Sequence, residues 1–472
     1  MFKNSLKDGR SVWLNGRQVD ITQDPHFVGT LQTIESLFYM LENDQEQKEI
    51  GYFDKEYQCW IHKSFLIPRS KDDLIERRKT FQLWTKETDG MMSRLSDYAR
   101  SRLTGWYANR EFYRQYDQEF PEKISSYFHK ARKENRFISV VQRDLQIDRS
   151  IKSIGDKEKL GLLSITKKTD EGVFVSGAKM IGTAAPYSHD LIIYPLSTIK
   201  EENKSLAHML IVAADSPGLH MVCREPFSAD KEKEEDYPLS SKFDEMDTVL
   251  IFDNVFVPWE RVLLHENTKA IAEIKVDLIS NSLAYHQSII RLYTKLDFVA
   301  AIANEIAETI GAEGFLHVQE KLGELIIQLR TISAMIIAAE QNGKYLNNVY
   351  IPEFDYIQTA RILGTKYYPR AIEIIQLIGS GGFIQIPSSV NDFDSSIGTL
   401  LQKYFHGKNT SALERTKLFK LAWDLIGSPF GSRHELYERF YSGDPILQTA
   451  DQWKRYDKKH WKEYLASYLN RE

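Results

Sequence analysis

The chain has 472 residues, with 61 Lys and Arg against 66 Asp and Glu, giving a net charge of −5. This length can bury a large core in roughly two or three domains or layers, and the near-neutral balance offers no basic field for nucleic acid. Two cysteines, Cys59 and Cys223, are too few for a disulfide framework or a Cys-based zinc or iron–sulfur site, and they read as reduced thiols of a cytoplasmic protein. The first ten residues have no signal-peptide core. No apolar run approaches the roughly 20 residues that span a bilayer, so no membrane association is expected.

Residues 1–135 read as an N-terminal helical domain. Arg77 to Tyr116 runs without Pro, and Phe81, Trp84, Met91, Leu95, Tyr98, Leu103 and Trp106 recur at near-helical spacing. A further helix is expected after Pro121, a residue suited to a first turn. Residues 136–266 change texture. Short β-rich runs (Phe137–Val141, Leu162–Ile165, Val173–Val175, Leu191–Tyr194, Leu206–Val212, His220–Cys223, Val249–Phe256) alternate with Gly, Pro, Asp and Asn, the pattern of an antiparallel sandwich or barrel. Residues 267–472 return to helical period over 268–312, 317–346, 354–380 and 398–426, with apolar stripes such as Leu322, Leu325, Leu329 and Ile336. The last 22 residues alternate charge with Trp453, Tyr456, Trp461, Tyr464 and Tyr468, as a helix laying rings on its own fold or on another subunit would.

General motifs exclude more than they assign. Gly379-Ser380-Gly381-Gly382-Phe383-Ile384 lacks the third glycine of a dinucleotide fingerprint and follows a helix where a strand is required. His434-Glu435-Leu436-Tyr437-Glu438 lacks the second histidine of a zinc helix, and the twelve histidines show no metal-ligand spacing. No bound metal is expected.

Longer segments are more distinctive. They are Val175–Pro186; Phe243–Asp247 with Asp253–Val262; His317–Leu325; Gln376–Gly382; and Trp423–Arg433 with Glu435–Phe440. In this order they resemble the oxygenase component of the 4-hydroxyphenylacetate 3-monooxygenase family, the two-component, reduced-flavin-dependent phenol hydroxylases. The resemblance spans about residues 5–447. It implies an α+β, acyl-CoA dehydrogenase-like fold with N-terminal helices, a central antiparallel β-barrel and a C-terminal four-helix bundle. It also implies FAD, received as FADH2 from a separate NAD(P)H-flavin reductase, and a homotetramer or dimer. The activity implied is hydroxylation of a small aromatic substrate with O2 by way of a C4a-hydroperoxyflavin.

Residue by residue, the resemblance places Arg94 and Tyr98 of Arg94-Leu95-Ser96-Asp97-Tyr98 at the substrate and the flavin. A guanidinium there can stabilise a phenolate, and a phenol can orient the reacting oxygen. It implies flavin contacts for Gln146, Ile147, Asp148 and Arg149, for Thr183, and for Ser428, Phe430, Gly431, Ser432 and Arg433. Gln376 and Gly379 would meet the flavin of a neighbouring subunit. Leu196 and Ser197 would lie beside the substrate, under a covering loop at Asp230–Tyr237. The family's substrate histidine falls at Val140, which can neither accept a phenol proton nor polarise the ring, so Gln142, Arg143 or a residue elsewhere takes that role or the substrate differs. Two alternatives are a 4-hydroxybutyryl-CoA dehydratase-like lyase, with His286 at a cluster-ligand position but without the cluster cysteines, and a non-catalytic flavin binder.

Overall fold

The computed structural model describes residues 2–147, 161–228 and 234–470. Near its start, Asn15 and Gly16 have φ of 51° and 75°, the left-handed pair that a type I′ hairpin turn requires. They join β1 (Ser11–Leu14) to β2 (Arg17–Val19). A second hairpin, β3 (Gly51–Asp54) with β4 (Cys59–His62), follows, so the first 135 residues are not all helix. The helices Pro25–Tyr39, Lys71–Lys86, Ser96–Ala108 and Phe120–Lys133 supply most of the remainder.

The expected continuous helix through Arg77–Tyr116 is broken at Asp89 and Gly90, whose φ values are 48° and 69°. A Cβ at Gly90 would lie 2.7 Å from the Lys295 side chain, and its carbonyl accepts a hydrogen bond from Arg291 Nη1 at 3.0 Å. Glycine is required both by the left-handed conformation and by this close approach. The break leaves Met91–Leu95 outside helical geometry and restarts the helix at Ser96.

Every β-rich run of the sequence contains all or part of a strand: β5 (Ile138–Val141), β6 (Ser164–Lys168), β7 (Gly172–Lys179), β8 (Asp190–Ile193), β9 (Met209–Ala213), β10 (Leu219–Cys223) and β11 (Thr248–Pro258); a further strand, β12 (Val262–Leu264), lies beyond them. They form two sheets, ordered β2-β1-β10-β11-β7-β6 and β12-β9-β8-β5. Neither sheet is wholly antiparallel as expected: β1 pairs parallel with β10, and β5 parallel with β8. The first arises because the N-terminal hairpin, distant in sequence, docks on the edge of β10. The inner strands β8 and β9 are almost wholly buried, as strands covered on both faces are.

The C-terminal region packs Leu278–Thr309, Leu316–Gln341, Phe354–Gly379, Ala412–Ile426 and Pro429–Phe440 together. One apolar cluster runs from the sheets (Val175, Val212, Leu250) through Trp84 and Leu95 to Ile289, Leu296 and Ile375. Each fully buried side chain of this kind contributes about 1.5–3 kcal/mol relative to exposure. Helix Leu316–Gln341 is long and apolar enough, by length and composition, to cross a membrane. It packs Leu325, Ile332 and Ile336 inward while Ile326, Ile327 and Ile337 stay exposed. The last helices, Pro445–Arg455 and Lys459–Leu469, bury no residue and expose Trp453, Trp461 and Leu465.

Candidate active site

The restart of the helix at Ser96 places Arg94 just before the helix and Tyr98 in its first turn. Both side chains line a cavity with Leu95, Ala99, Ile138, Ser139, Val140, Gln142, Arg143, Met180, Ile181, Thr183 and Tyr437. The floor comes from β5, one wall from the segment after β7, and the other from helix Pro429–Phe440. The wall after β7 is held in unusual geometry, with Ile181 and Ala184 at φ of 57° and 60°. Positive φ at a β-branched residue costs of order 1–3 kcal/mol and persists only where surroundings impose it. Here Gly182 N donates to Thr248 O at 2.9 Å, and Ala184 N to Met246 O at 3.1 Å.

The Arg94 guanidinium carbon lies 4.7 Å from the Tyr98 ring centre and 4.8 Å from that of Tyr441. Such stacking is favourable for a guanidinium and leaves part of its donor edge free for a ligand. Burial would push the Tyr98 phenol up, but the Arg94, Arg102 and Arg361 guanidiniums pull it below its ordinary 10. None of these three arginines has a carboxylate within ion-pairing distance among the described residues. Arg102 binds Asn281 and the Tyr194 hydroxyl. Arg361 stacks 3.5 Å from the Tyr285 ring centre and donates to Gln358 Oε1. Beside Tyr98, Asp97 is fully buried and accepts from Gln287 Nε2 at 3.0 Å, and burial pushes its carboxyl up to about 7.

Thr183 opens a second network. Its hydroxyl donates to Asp247 Oδ1 at 2.6 Å, and Arg433 grips the same carboxylate with Nε and Nη2 at 3.0 and 2.8 Å. Arg224 Nε adds a bond at 3.0 Å and its Nη2 reaches Asp244 at 2.5 Å. Burial opposes ionisation of Asp247, yet Arg433 and Arg224 hold its carboxyl well below the usual carboxylate range. Arg433 also lies 5.1 Å over the Tyr437 ring. The Tyr437 hydroxyl is buried and has no hydrogen-bond partner among the described residues.

The cavity therefore brings together Arg94, Tyr98, Val140 and Thr183, with Arg433 joined through Asp247 and Tyr437. Other sequence-predicted positions do not line it. Leu196 and Ser197 are exposed, and their carbonyls accept from Lys275 Nζ. Gln146 and Ile147 are exposed on the run after β5, while Asp148 and Arg149 lie outside the described residues, as does 230–233 of the expected covering loop. Ser428 caps helix Pro429–Phe440 by accepting from Gly431 N at 3.1 Å. Phe430 packs on His434 at 4.3 Å between ring centres, and a Cβ at Gly431 would sit 2.1 Å from Leu425 O. These three support the helix that carries Arg433; Ser432 is exposed. Gln376 is exposed at the end of helix Phe354–Gly379, where Gly379 packs under Phe383. His286 is buried against Glu340 at 2.9 Å.

Sequence reasoning left Tyr437, Tyr441 and Asp247 without roles. Tyr437 and Asp247 lay inside the distinctive segments, but Tyr441 follows them and meets Arg94 only through the fold.

The arrangement defines a half-buried cavity of mixed polar and apolar lining with a guanidinium–phenol pair, suited to an aromatic ring bearing a hydroxyl. Residues 1–264 match the family model "4-hydroxyphenylacetate 3-hydroxylase N terminal", and residues 279–470 match "4-hydroxyphenylacetate 3-hydroxylase C terminal". The chain belongs to this family. It is 33% identical to the 4-hydroxyphenylacetate 3-monooxygenase oxygenase component of Thermus thermophilus, across 97% of this chain and 94% of that protein. Among solved structures, that of a 4-hydroxyphenylacetate 3-monooxygenase oxygenase component complexed with FAD aligns with a TM-score of 0.94 at 31% identity, covering 99% of this chain and 97% of that one. A structure of that component with FAD and 4-hydroxyphenylacetate aligns at 0.93, with the same identity and coverage.

Proposed function

We propose that this chain is the oxygenase component of a two-component monooxygenase that hydroxylates a small phenol of the 4-hydroxyphenylacetate type. The observation that carries this reading is the Arg94–Tyr98 pair on the wall of the cavity, beside a Tyr437 hydroxyl that has no hydrogen-bond partner among the described residues. That buried hydroxyl is available to donate to a ligand, and Thr183 Oγ1 keeps acceptor capacity while it donates to Asp247. The residues present thus fit a flavin edge at Tyr437 and Thr183, with Arg433 holding the Thr183 side through Asp247. When bound, reduced FAD supplies two electrons to O2, so that one oxygen atom enters the ring and the other leaves as water.

The chain's own residues bind and orient the phenol. Arg94 stabilises negative charge on the substrate oxygen, which makes the ring carbon ortho to it more nucleophilic. Tyr98, its acidity raised by three guanidiniums, holds or passes a proton at its hydroxyl. Ile138, Val140 and Met180 shield the ring from water. With Val140 on the floor, Gln142 and Arg143 are the neighbouring side chains able to meet a polar substituent.

The electrons come from a separate NAD(P)H-flavin reductase. The chain works as a cytoplasmic homotetramer, a reading supported by the exposed Ile326, Ile327 and Ile337 and by the unburied C-terminal helices. Sedimentation of the purified protein measures the tetramer directly; a dimer would replace it as the alternative assembly, and a monomer would refute both. The activity is tested by incubating the chain with FAD, a flavin reductase, NADH, air and 4-hydroxyphenylacetate. An ortho-hydroxylated product that requires every component is expected. Oxidation of the flavin without product, across a panel of phenols, would remove the proposal.

A further inference from the structure

We infer that Tyr441 is a positioning residue for the hydroxylation, holding the Arg94 guanidinium against Tyr98 from outside the cavity. The inference rests on the role proposed for Arg94. Tyr441 follows helix Pro429–Phe440 and does not line the substrate cavity. Its ring forms the second face of the cleft that holds Arg94: the guanidinium carbon is 4.8 Å from its centre, and the Tyr98 and Tyr441 centres are 6.4 Å apart at 63°. Arg94 has no carboxylate on its side chain among the described residues; the Tyr98 and Tyr441 rings flank its guanidinium, with the Tyr437 phenol also acting on it.

Tyr441 is itself fixed on two sides. Its ring stacks on Tyr437 at 5.0 Å and 29°. Its hydroxyl lies 2.6 Å from Ser288 Oγ, and Ser288 Oγ can also donate to Ala284 O at 3.1 Å. Either hydroxyl can donate in this pair, and in both arrangements the bond anchors the Tyr441 ring. The two phenols on Arg94 are unlike. Burial, then the neighbouring Tyr98, pushes Tyr441 up to about 12, whereas Tyr98 is drawn below 10. Tyr441 remains a neutral back wall, and Arg94 directs its charge towards Tyr98 and the cavity. A guanidinium freed from this wall has several rotamers to choose from, and loss of alignment in a reacting site costs about one to two orders of magnitude in rate.

The test compares Tyr441→Leu, Tyr441→Phe and Ser288→Ala with the parent chain, measuring kcat and KM for the phenol, FAD affinity and thermal midpoint. Tyr441→Leu is expected to lower kcat about tenfold while FAD affinity stays within about twofold. Tyr441→Phe keeps the ring and is expected to restore kcat to within about threefold of the parent, with Ser288→Ala close to it. A parent-like kcat in Tyr441→Leu overturns the inference, as does a kcat loss in Tyr441→Phe as large as in Tyr441→Leu. If Tyr441→Leu fails to fold, the decision falls to Tyr441→Phe and Ser288→Ala, where a tenfold loss of kcat in either overturns it. An inactive parent chain would instead refute the proposed monooxygenase reading.

Discussion

Two sets of buried and half-buried arginines lie in and around the site and are treated oppositely. Arg433 and Arg224 share Asp247, and Arg291 forms a two-pronged pair with Glu438 at 2.7 and 3.0 Å. Arg94, Arg102 and Arg361 face phenols and amides instead. A guanidinium neutralised by a carboxylate is spent on holding elements together, and removing its partner leaves a buried charge. A guanidinium held by phenols retains a field that a ligand anion can use. The first set ties the segment after β7 and the bundle to one another; the second charges the cavity between them.

Four experiments can break or sharpen this contrast. Asp247→Ala strips the shared carboxylate from Arg433 and Arg224, and a loss of about 3–5 kcal/mol is expected in denaturant unfolding; a change below about 1 kcal/mol would mean that the network does not hold the fold. Acid should act through the same kind of pair. Burial favours a protonated Glu438, but Arg291 and Lys295 hold its carboxyl down at about 2 in the folded chain, against an ordinary 4.5. Its contribution is therefore complete above about pH 4.5 and is lost as pH falls towards 2, by about 3 kcal/mol in all. Unfolding curves between about pH 6 and 3 should show a loss that Glu438→Gln lacks.

Arg94→Ala should leave the unfolding midpoint nearly unchanged and lower product formation about 100-fold, with FAD affinity within a few-fold of the parent. Arg94→Lys should not recover the parent rate, because an ammonium has neither the planar stack nor the fork. Equal losses of FAD binding and of product would contradict the separation of the two sets. Thr183→Val, which removes one hydrogen bond to a paired carboxylate, should cost about 1.5 kcal/mol and weaken FAD binding more than phenol binding. Flavin titration and phenol KM give that ratio.

The sequence carried the helix–β–helix order because runs such as Leu191–Tyr194 and the stripe through Leu325, Leu329 and Ile336 state their periods locally. The turn at Asn15-Gly16 was equally explicit, and β1 and β2 could have been read from it. The break at Asp89-Gly90 was hidden, because the apolar spacing of Met91, Leu95 and Tyr98 continues the helical phase across it. Only the fold shows that Gly90 must fit against Lys295 and Arg291. Within the site, Arg94, Tyr98 and Thr183 were identified through a family likeness, not through any local spacing. Tyr441 was not, because its partner Arg94 stands in a distant part of the chain and no periodicity links them. Leu196 and Ser197 were placed by the same family likeness; both are exposed after β8, where their carbonyls accept from Lys275 Nζ.

The most direct test is to supply the chain with reduced FAD, 4-hydroxyphenylacetate and oxygen-18 gas, and to weigh the product. The account predicts an ortho-hydroxylated product carrying one heavy oxygen atom, formed by the parent chain and about 100-fold less by Arg94→Ala at matched flavin occupancy. A product whose new oxygen comes from water, or an Arg94→Ala chain as active as the parent, would contradict it.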